Sequence, residues 1–129
     1  MRILRVLLAA ALVLLPTVRL AAAADLVMVE QPGCAYCEAW MRDVAPEYPL
    51  TAEGRFAPLL TVEKRDAPPK GMTFARPVVY TPTFVLVEDG QELARIEGYP
   101  GEDFFWGLLA RMLEEHTDYD PDAEQGGGT

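Results

Sequence analysis

The chain contains only two cysteines, and they stand two residues apart in the segment Cys34-Ala35-Tyr36-Cys37. Branched apolar residues precede this segment and a helical pattern follows it, so it is predicted to join a strand to a helix. At that junction the spacing lets both sulfurs meet across the first helical turn, where they can cycle between a dithiol and a disulfide. Redox chemistry at Cys34 and Cys37 is therefore the first prediction.

The positions of the two cysteines along the helix predict different roles. Free N–H groups and the positive end of the helix dipole meet at Cys34, and both favour a thiolate. Cys34 is therefore the expected nucleophile, and Cys37, one turn deeper, is the expected resolving thiol. The main alternative is a disulfide that serves only as a structural staple, although so short a loop would gain little stability from it.

The composition of the chain argues against a metal or a haem at this pair. A structural zinc site normally takes four Cys or His ligands, whereas the chain has two cysteines and one histidine, His116. Covalent haem attachment needs a histidine directly after the second cysteine, and Glu38 stands there. We therefore expect no metal and no cofactor.

The N-terminus has the features of a secretory signal peptide. Arg2 and Arg5 precede an uninterrupted apolar run, residues 6–15, and the alanines at 21–24 supply small side chains for cleavage. The run is about half of the roughly 20 apolar residues that a membrane-spanning helix needs. An uncleaved anchor is thus the weaker alternative, and we predict an exported protein cleaved after about Ala24.

The acidic balance of the remaining chain restricts the class of partner. The chain has 11 Lys+Arg and 20 Asp+Glu, and the predicted signal peptide, residues 1–24, removes three arginines and no acid, which leaves a net charge of −12. That charge disfavours nucleic acid and anionic membranes as partners. We predict a monomer with one domain over residues 25–116 and a disordered, acidic and Gly-rich tail over residues 117–129.

The pattern of predicted elements is that of an α/β domain. Three prolines and a glycine make residues 66–80 an irregular crossover, and the Asp-Gly pair at 89–90 predicts a hairpin. The first two strands are expected to be parallel and the last two antiparallel. Strands are predicted over residues 25–30, 59–64, 83–88 and 92–97, and helices from 34 to about 44 and over 102–116.

A Thr-Pro dipeptide opens the third predicted strand, at Thr81-Pro82. If this bond is cis, the turn brings Thr81 beside the cysteines with its backbone N–H and C=O free to pair with a substrate strand. The alternative is that proline is tolerated at the start of a strand simply because the N–H it lacks would face solvent there. Tyr36 is expected either to be partly exposed beside Cys34 or to pack on Trp40. Gly98 is either a turn glycine or leaves room for substrate near Thr81.

The sequence resembles the thioredoxin superfamily over nearly all of residues 25–116. This resemblance implies a thioredoxin-like fold, with a central mixed four-stranded sheet flanked by helices, and thiol–disulfide oxidoreductase activity. Thioredoxins usually carry a buried Asp six residues before the first cysteine, where Met28 stands here; Glu30, the nearest upstream acid, either substitutes for it or is a surface charge. The resemblance rests on Gly33-Cys34-Ala35-Tyr36-Cys37, Thr81-Pro82-Thr83-Phe84 and Glu97-Gly98-Tyr99-Pro100-Gly101.

Two runs, residues 31–34 and 96–106, are also similar to the SoxS group of exported thioredoxins, which are encoded with bacterial sulfur-oxidation (Sox) enzymes. That similarity implies a periplasmic reductant that clears disulfides or adducts from the sulfur-carrier protein SoxYZ. Its electrons would come from a membrane thiol transporter. A general periplasmic disulfide oxidase or isomerase, and a non-catalytic domain with a structural disulfide, are the alternatives.

Overall fold

The structure is a computed structural model that describes residues 23–123 of the chain. Most of the predicted signal peptide, residues 1–22, and the end of the predicted tail, residues 124–129, lie outside the described residues. Between residues 23 and 123, no helix has both the length and the apolar character needed to cross a membrane.

A mixed four-stranded sheet forms the centre of the domain, as predicted. The strands run in the order β2-β1-β3-β4; β1 and β2 are parallel, whereas β3 is antiparallel to both β1 and β4. The two central strands, β1 and β3, are almost wholly apolar because both of their faces are covered. The strands are β1 Ala24–Glu30, β2 Leu59–Glu63, β3 Thr83–Glu88 and β4 Gln91–Glu97.

Three helices cover one face of the sheet: α1 Ala35–Asp43, α2 Ala52–Phe56 and α3 Glu102–His116. Trp40 of α1 is fully buried at the centre of this layer. Its ring centroid lies 5.0 Å from that of Phe84 on β3 and 5.5 Å from that of Phe105 on α3. This aromatic packing fixes α1, and the cysteine pair at its start, against the middle of the sheet.

The other face is covered by the irregular crossover that the prolines predicted. We call residues 67–80 the crossover segment; it contains no helix and no strand longer than an isolated bridge. Its apolar side chains, among them Met72, Phe74 and Val78, pack on a row of valines from β1 and β3. The helices therefore flank one face of the sheet only, and extended chain covers the second face.

The short helix α2 lies in a part of the chain for which the sequence predicts no helix. The Thr51 hydroxyl caps the helix by accepting the Gly54 N–H at 3.0 Å. A Cβ atom at Gly54 would collide with the Tyr48 carbonyl oxygen. Glycine is needed here for close approach of two backbone segments, which its sequence context does not distinguish from a turn.

Part of the predicted tail packs on the domain. Tyr119 is buried, and its ring lies edge-on to Phe56 with 5.1 Å between centroids. The Thr117 hydroxyl donates to the Leu113 carbonyl at 2.6 Å and accepts the Tyr119 N–H at 3.1 Å, so it closes the end of α3. The packed chain thus extends beyond His116, the boundary predicted from the sequence, to at least Tyr119.

Candidate functional site

The cysteine pair lies at the start of α1, where the sequence placed it. Cys34 is the N-cap residue, and its sulfur accepts the backbone N–H of Cys37 at 3.1 Å. The two sulfurs form a disulfide with 5.2 Å between the Cα atoms. Gly33, at φ +73°, allows the chain to turn from β1 into the helix. Cys34 is 8% exposed and Cys37 is 3% exposed, so the first cysteine is the more accessible one, although neither is open.

The Thr81–Pro82 peptide bond is cis, as the dipeptide suggested. Pro82 is buried, and its carbonyl accepts the Gly98 N–H at 2.7 Å. The N–H and C=O of Thr81 have no backbone hydrogen-bond partner in the described part of the chain. They are therefore available to an extended peptide. A second cis bond, Ala67–Pro68, was not predicted.

An open groove of about 1210 Å³, which we call the main groove, brings together three of the predicted substrate-binding residues. Tyr36, Thr81 and Gly98 all line it, whereas Pro82 is buried and does not. The two cysteines do not line it. The main groove is lined by Gln31, Tyr36, Ala39, Val79, Tyr80, Thr81, Glu97, Gly98, Tyr99, Pro100, Gly101 and Leu108.

The main groove has an exposed apolar wall that the sequence did not assign to the site. Tyr36, Val79 and Tyr80 are 65, 64 and 63% exposed. Such aromatic and branched side chains left in water at a groove suit a binding surface. Val79 and Tyr80 follow Val78, and an apolar run of this kind does not by itself show which members face the core. Tyr36 is exposed, as the first of the two alternatives for it expected, and its contact with a substrate stays a prediction.

The loop after β4 is tied to the end of α1 by a side-chain hydrogen bond. The Tyr99 hydroxyl donates to the Asp43 carboxylate at 3.2 Å. Burial of the ring, and then the nearby charge and hydrogen bond of Asp43, raise the pKa of Tyr99. Tyr99 therefore remains a neutral hydrogen-bond donor at physiological pH. The sequence does not predict this contact, because nothing in it pairs Tyr99 with Asp43.

A smaller groove of about 580 Å³, the cysteine groove, contains both cysteines. Met28, where thioredoxins usually carry a buried acid, is fully buried in the core. Glu30 lines the cysteine groove and stands opposite Glu63 in the register of β1 and β2. Among the described residues, the carboxylates of Glu30 and Glu63 therefore line the cysteine groove, and none lies in the core cluster that contains Met28. The cysteine groove is lined by Glu30, Gln31, Pro32, Gly33, Cys34, Cys37, Glu38, Met41, Arg42 and Glu63.

Fold and site together define the class of protein as a thiol–disulfide oxidoreductase. Two sulfurs at the first turn of a helix can form and break a bond with each other, which is the chemistry of thiol–disulfide exchange. A family model for the thioredoxin-like domain matches residues 17–113. The chain therefore belongs to the thioredoxin superfamily.

Solved structures agree with this assignment. The chain is 54% identical to the periplasmic thioredoxin SoxS from Paracoccus pantotrophus in its reduced form, with a TM-score of 0.69 over 71% of this chain and 97% of that one. Two more distant thioredoxins share the fold. The one from Malassezia sympodialis is 16% identical, with a TM-score of 0.52 over 71% of this chain and 79% of that one. The one from Fasciola hepatica is 23% identical, with a TM-score of 0.50 over 71% of this chain and 83% of that one. A search of curated proteins found no match.

Proposed function

We propose that the protein is a periplasmic reductase that acts on disulfides or thiol adducts of a partner protein. The observation that carries this proposal is the 54% identity to a periplasmic thioredoxin, SoxS, over 97% of that chain. The predicted signal peptide over residues 1–24 supports the same compartment. The predicted domain limits, 25–116 and 117–129, are part of the proposal, with the buried Tyr119 extending the domain.

In the proposed reaction, Cys34 and Cys37 together supply two electrons. The Cys34 thiolate attacks one sulfur of the substrate disulfide, which breaks the substrate S–S bond and releases one substrate thiol once it takes up a proton. The Cys37 thiolate then attacks the Cys34 sulfur and releases the second substrate thiol. The enzyme is left with the Cys34–Cys37 disulfide, which is the state seen in the structure. A membrane thiol transporter is the proposed source of electrons for the next cycle.

The main groove is the proposed docking site for the polypeptide around the substrate sulfur. Thr81 offers a backbone N–H and C=O without backbone partners, and these can pair with an extended segment as a strand edge would. Tyr36, which stands between the two cysteines in the sequence, offers a flat apolar surface in this groove. Pro82 fixes the Thr81 turn, and Gly98, bonded to the Pro82 carbonyl, leaves the neighbouring lining without a side chain.

The proposed partner is the sulfur carrier SoxYZ, and a Cys37→Ser variant tests this assignment. Without the resolving thiol, Cys34 should remain joined to its partner as a mixed disulfide. Periplasmic extracts of cells oxidising reduced sulfur compounds should then yield one dominant adduct that contains the sulfur carrier. The Cys34→Ser/Cys37→Ser double variant is the matched control and should yield none.

Other outcomes would support the alternatives. Many unrelated secreted proteins without the carrier would indicate general disulfide exchange, and no adduct from a folded variant with a reactive Cys34 would indicate a structural disulfide. The reduction potential of the Cys34–Cys37 pair separates the directions of electron flow. A value near about −270 mV is expected for a reductase, whereas one near about −120 mV would identify an oxidase.

A further inference from the structure

A buried ion pair lies on β4, an outer strand of the sheet and far from the cysteines in sequence. The Arg95 guanidinium contacts both carboxylate oxygens of Glu92, with Nε–Oε1 at 2.6 Å and Nη2–Oε2 at 2.7 Å. The side chains are only 3 and 4% exposed. Removing two charges from water is costly, and the arrangement persists only if their remaining hydrogen-bonding capacity is also used.

That remaining capacity is directed at the backbone of the crossover segment. Arg95 Nη2 donates to the Arg76 carbonyl at 2.8 Å, and Arg95 Nη1 donates to the Pro77 carbonyl at 3.4 Å. The Ala75 N–H donates to Glu92 Oε2 at 2.6 Å. Because this segment has no helix or strand to satisfy its backbone groups, the ion pair supplies the partners that regular structure would supply.

The segment that the ion pair holds continues directly into part of the apolar wall of the main groove. Val79, Tyr80 and Thr81 line the groove within a few residues of Pro77. Arg76 also reaches Glu97, another residue that lines the main groove, with 2.8 Å between Nη2 and Oε1. The ion pair is thus joined through the crossover segment to two stretches of the groove lining, and it contacts neither cysteine.

We propose that Glu92 and Arg95 are positioning residues for the substrate, which hold the Val79–Thr81 wall in the geometry that a polypeptide disulfide requires. This inference rests on the proposed function, because it concerns docking at the same groove. Small disulfides that meet only the cysteines do not depend on the wall. Loss of the ion pair therefore weakens the binding of polypeptide substrates and leaves the sulfur chemistry as it was.

The test compares two substrates in a variant that removes both charges, Glu92→Gln/Arg95→Met. Replacing both partners with neutral groups of similar size avoids leaving one buried charge unpaired. For a protein disulfide such as that of insulin, KM should rise roughly tenfold or more with little change in kcat. For hydroxyethyl disulfide, kcat/KM should stay within about twofold of the wild type.

A matched control uses the exposed ion pair of α3. Arg111 and Glu115 are 2.7 Å apart on the surface, so Glu115→Gln/Arg111→Met removes the same two charges without touching the groove. It should leave both substrates unaffected. An equal effect of the Glu92→Gln/Arg95→Met variant on both substrates, or no effect on insulin, would overturn the positioning role.

Backbone chemical shifts measured by NMR provide a readout that needs no activity. In the Glu92→Gln/Arg95→Met variant, the amide signals of residues 78–81 should shift or broaden while those of α1 stay unchanged. Unchanged signals from residues 78–81 of the folded variant would also overturn the proposal. If the wild-type protein reduces neither disulfide, the proposed function fails, and the chemical shifts still decide whether the ion pair holds the wall.

Discussion

At the scale of single residues, Gly98 combines two requirements that its sequence context could not separate. Its φ is +85°, a conformation in which a side chain costs about 1–2 kcal/mol. Its N–H is bonded to Pro82, and a Cβ atom at this position would meet no atom within 4 Å. Because Gly98 lines the main groove, that open space is where the substrate is proposed to lie. Gly98 is therefore both a turn glycine and a low point in the groove wall.

The Gly98→Ala variant should lose stability and substrate affinity together. The positive φ predicts a loss of about 1–2 kcal/mol in the free energy of unfolding. A methyl group that interferes with one hydrogen bond to the substrate costs about 1 kcal/mol, or roughly a fivefold rise in KM for insulin. Urea denaturation and steady-state kinetics measure the two effects.

Gly71→Ala is the matched control for that variant. Gly71 has a φ of +84° and equally open space around a Cβ, but it does not line the main groove. It should show a similar loss of stability with an unchanged KM. An equal rise in KM for Gly98→Ala and Gly71→Ala would mean that Gly98→Ala raises KM only by destabilising the fold.

At the scale of elements, the sequence predicted those parts of the fold that depend on local pattern. The alternation of β4, the apolar runs of β1 and β3, and the spacing of α3 are each visible within a few residues. The cysteine pair and Thr81 were predictable for the same reason. The Glu92–Arg95 pair was not, because its bonds to the crossover segment are made between residues 17 to 19 positions apart. The exposure of Val79 and Tyr80 in the main groove could not be predicted either, because tertiary packing decides which residues of the crossover segment are buried on the second face of the sheet.

The Glu92–Arg95 pair should give the domain an acid-sensitive component of stability. Burial alone would raise the pKa of Glu92, but hydrogen bonds from Arg95 and Ala75 and the charges of Arg95 and Arg76 outweigh it, so the pKa lies below its ordinary value of 4.5. A carboxyl with a lowered pKa in the folded state stabilises the protein above about pH 4.5. That stabilisation is lost as the pH falls from there through the folded-state pKa.

Glu92→Gln measures this component directly. At pH 7 the variant should be less stable than the wild type by about 1–3 kcal/mol, because the Arg95 guanidinium loses its charged partner. The difference should shrink as the pH falls below about 4.5, where the wild type loses its carboxylate as well. Urea denaturation at several pH values measures it, with Glu115→Gln as the exposed control. A difference that is constant with pH would show that ionisation of Glu92 does not stabilise the fold.

At the scale of the whole molecule, the net negative charge of the protein extends to the groove that contains the cysteines. The full chain has 20 Asp+Glu against 11 Lys+Arg. Glu30, Glu38 and Glu63 line the cysteine groove together with one cation, Arg42. Glu63 is paired with Arg65 at 2.6 Å, so the expected negative potential at this groove comes mainly from Glu30 and Glu38. It should raise the encounter rate of basic disulfide substrates and lower that of acidic ones.

This preference predicts a dependence on salt that can be assigned to particular side chains. Two peptide disulfides of equal length, one with Lys and one with Glu beside the cystine, should differ roughly tenfold in kcat/KM at low ionic strength. The difference should nearly vanish at about 1 M salt, where charges are screened within about 3 Å. Glu30→Gln/Glu38→Gln should reduce the low-salt preference, whereas Glu114→Gln/Asp122→Asn, which makes the same change in net charge away from both grooves, should retain most of it. An equal reduction by both double variants would mean that net charge alone sets the preference for the basic peptide. If the tenfold ratio of kcat/KM persisted in high salt, the preference would instead come from direct contacts within the main groove.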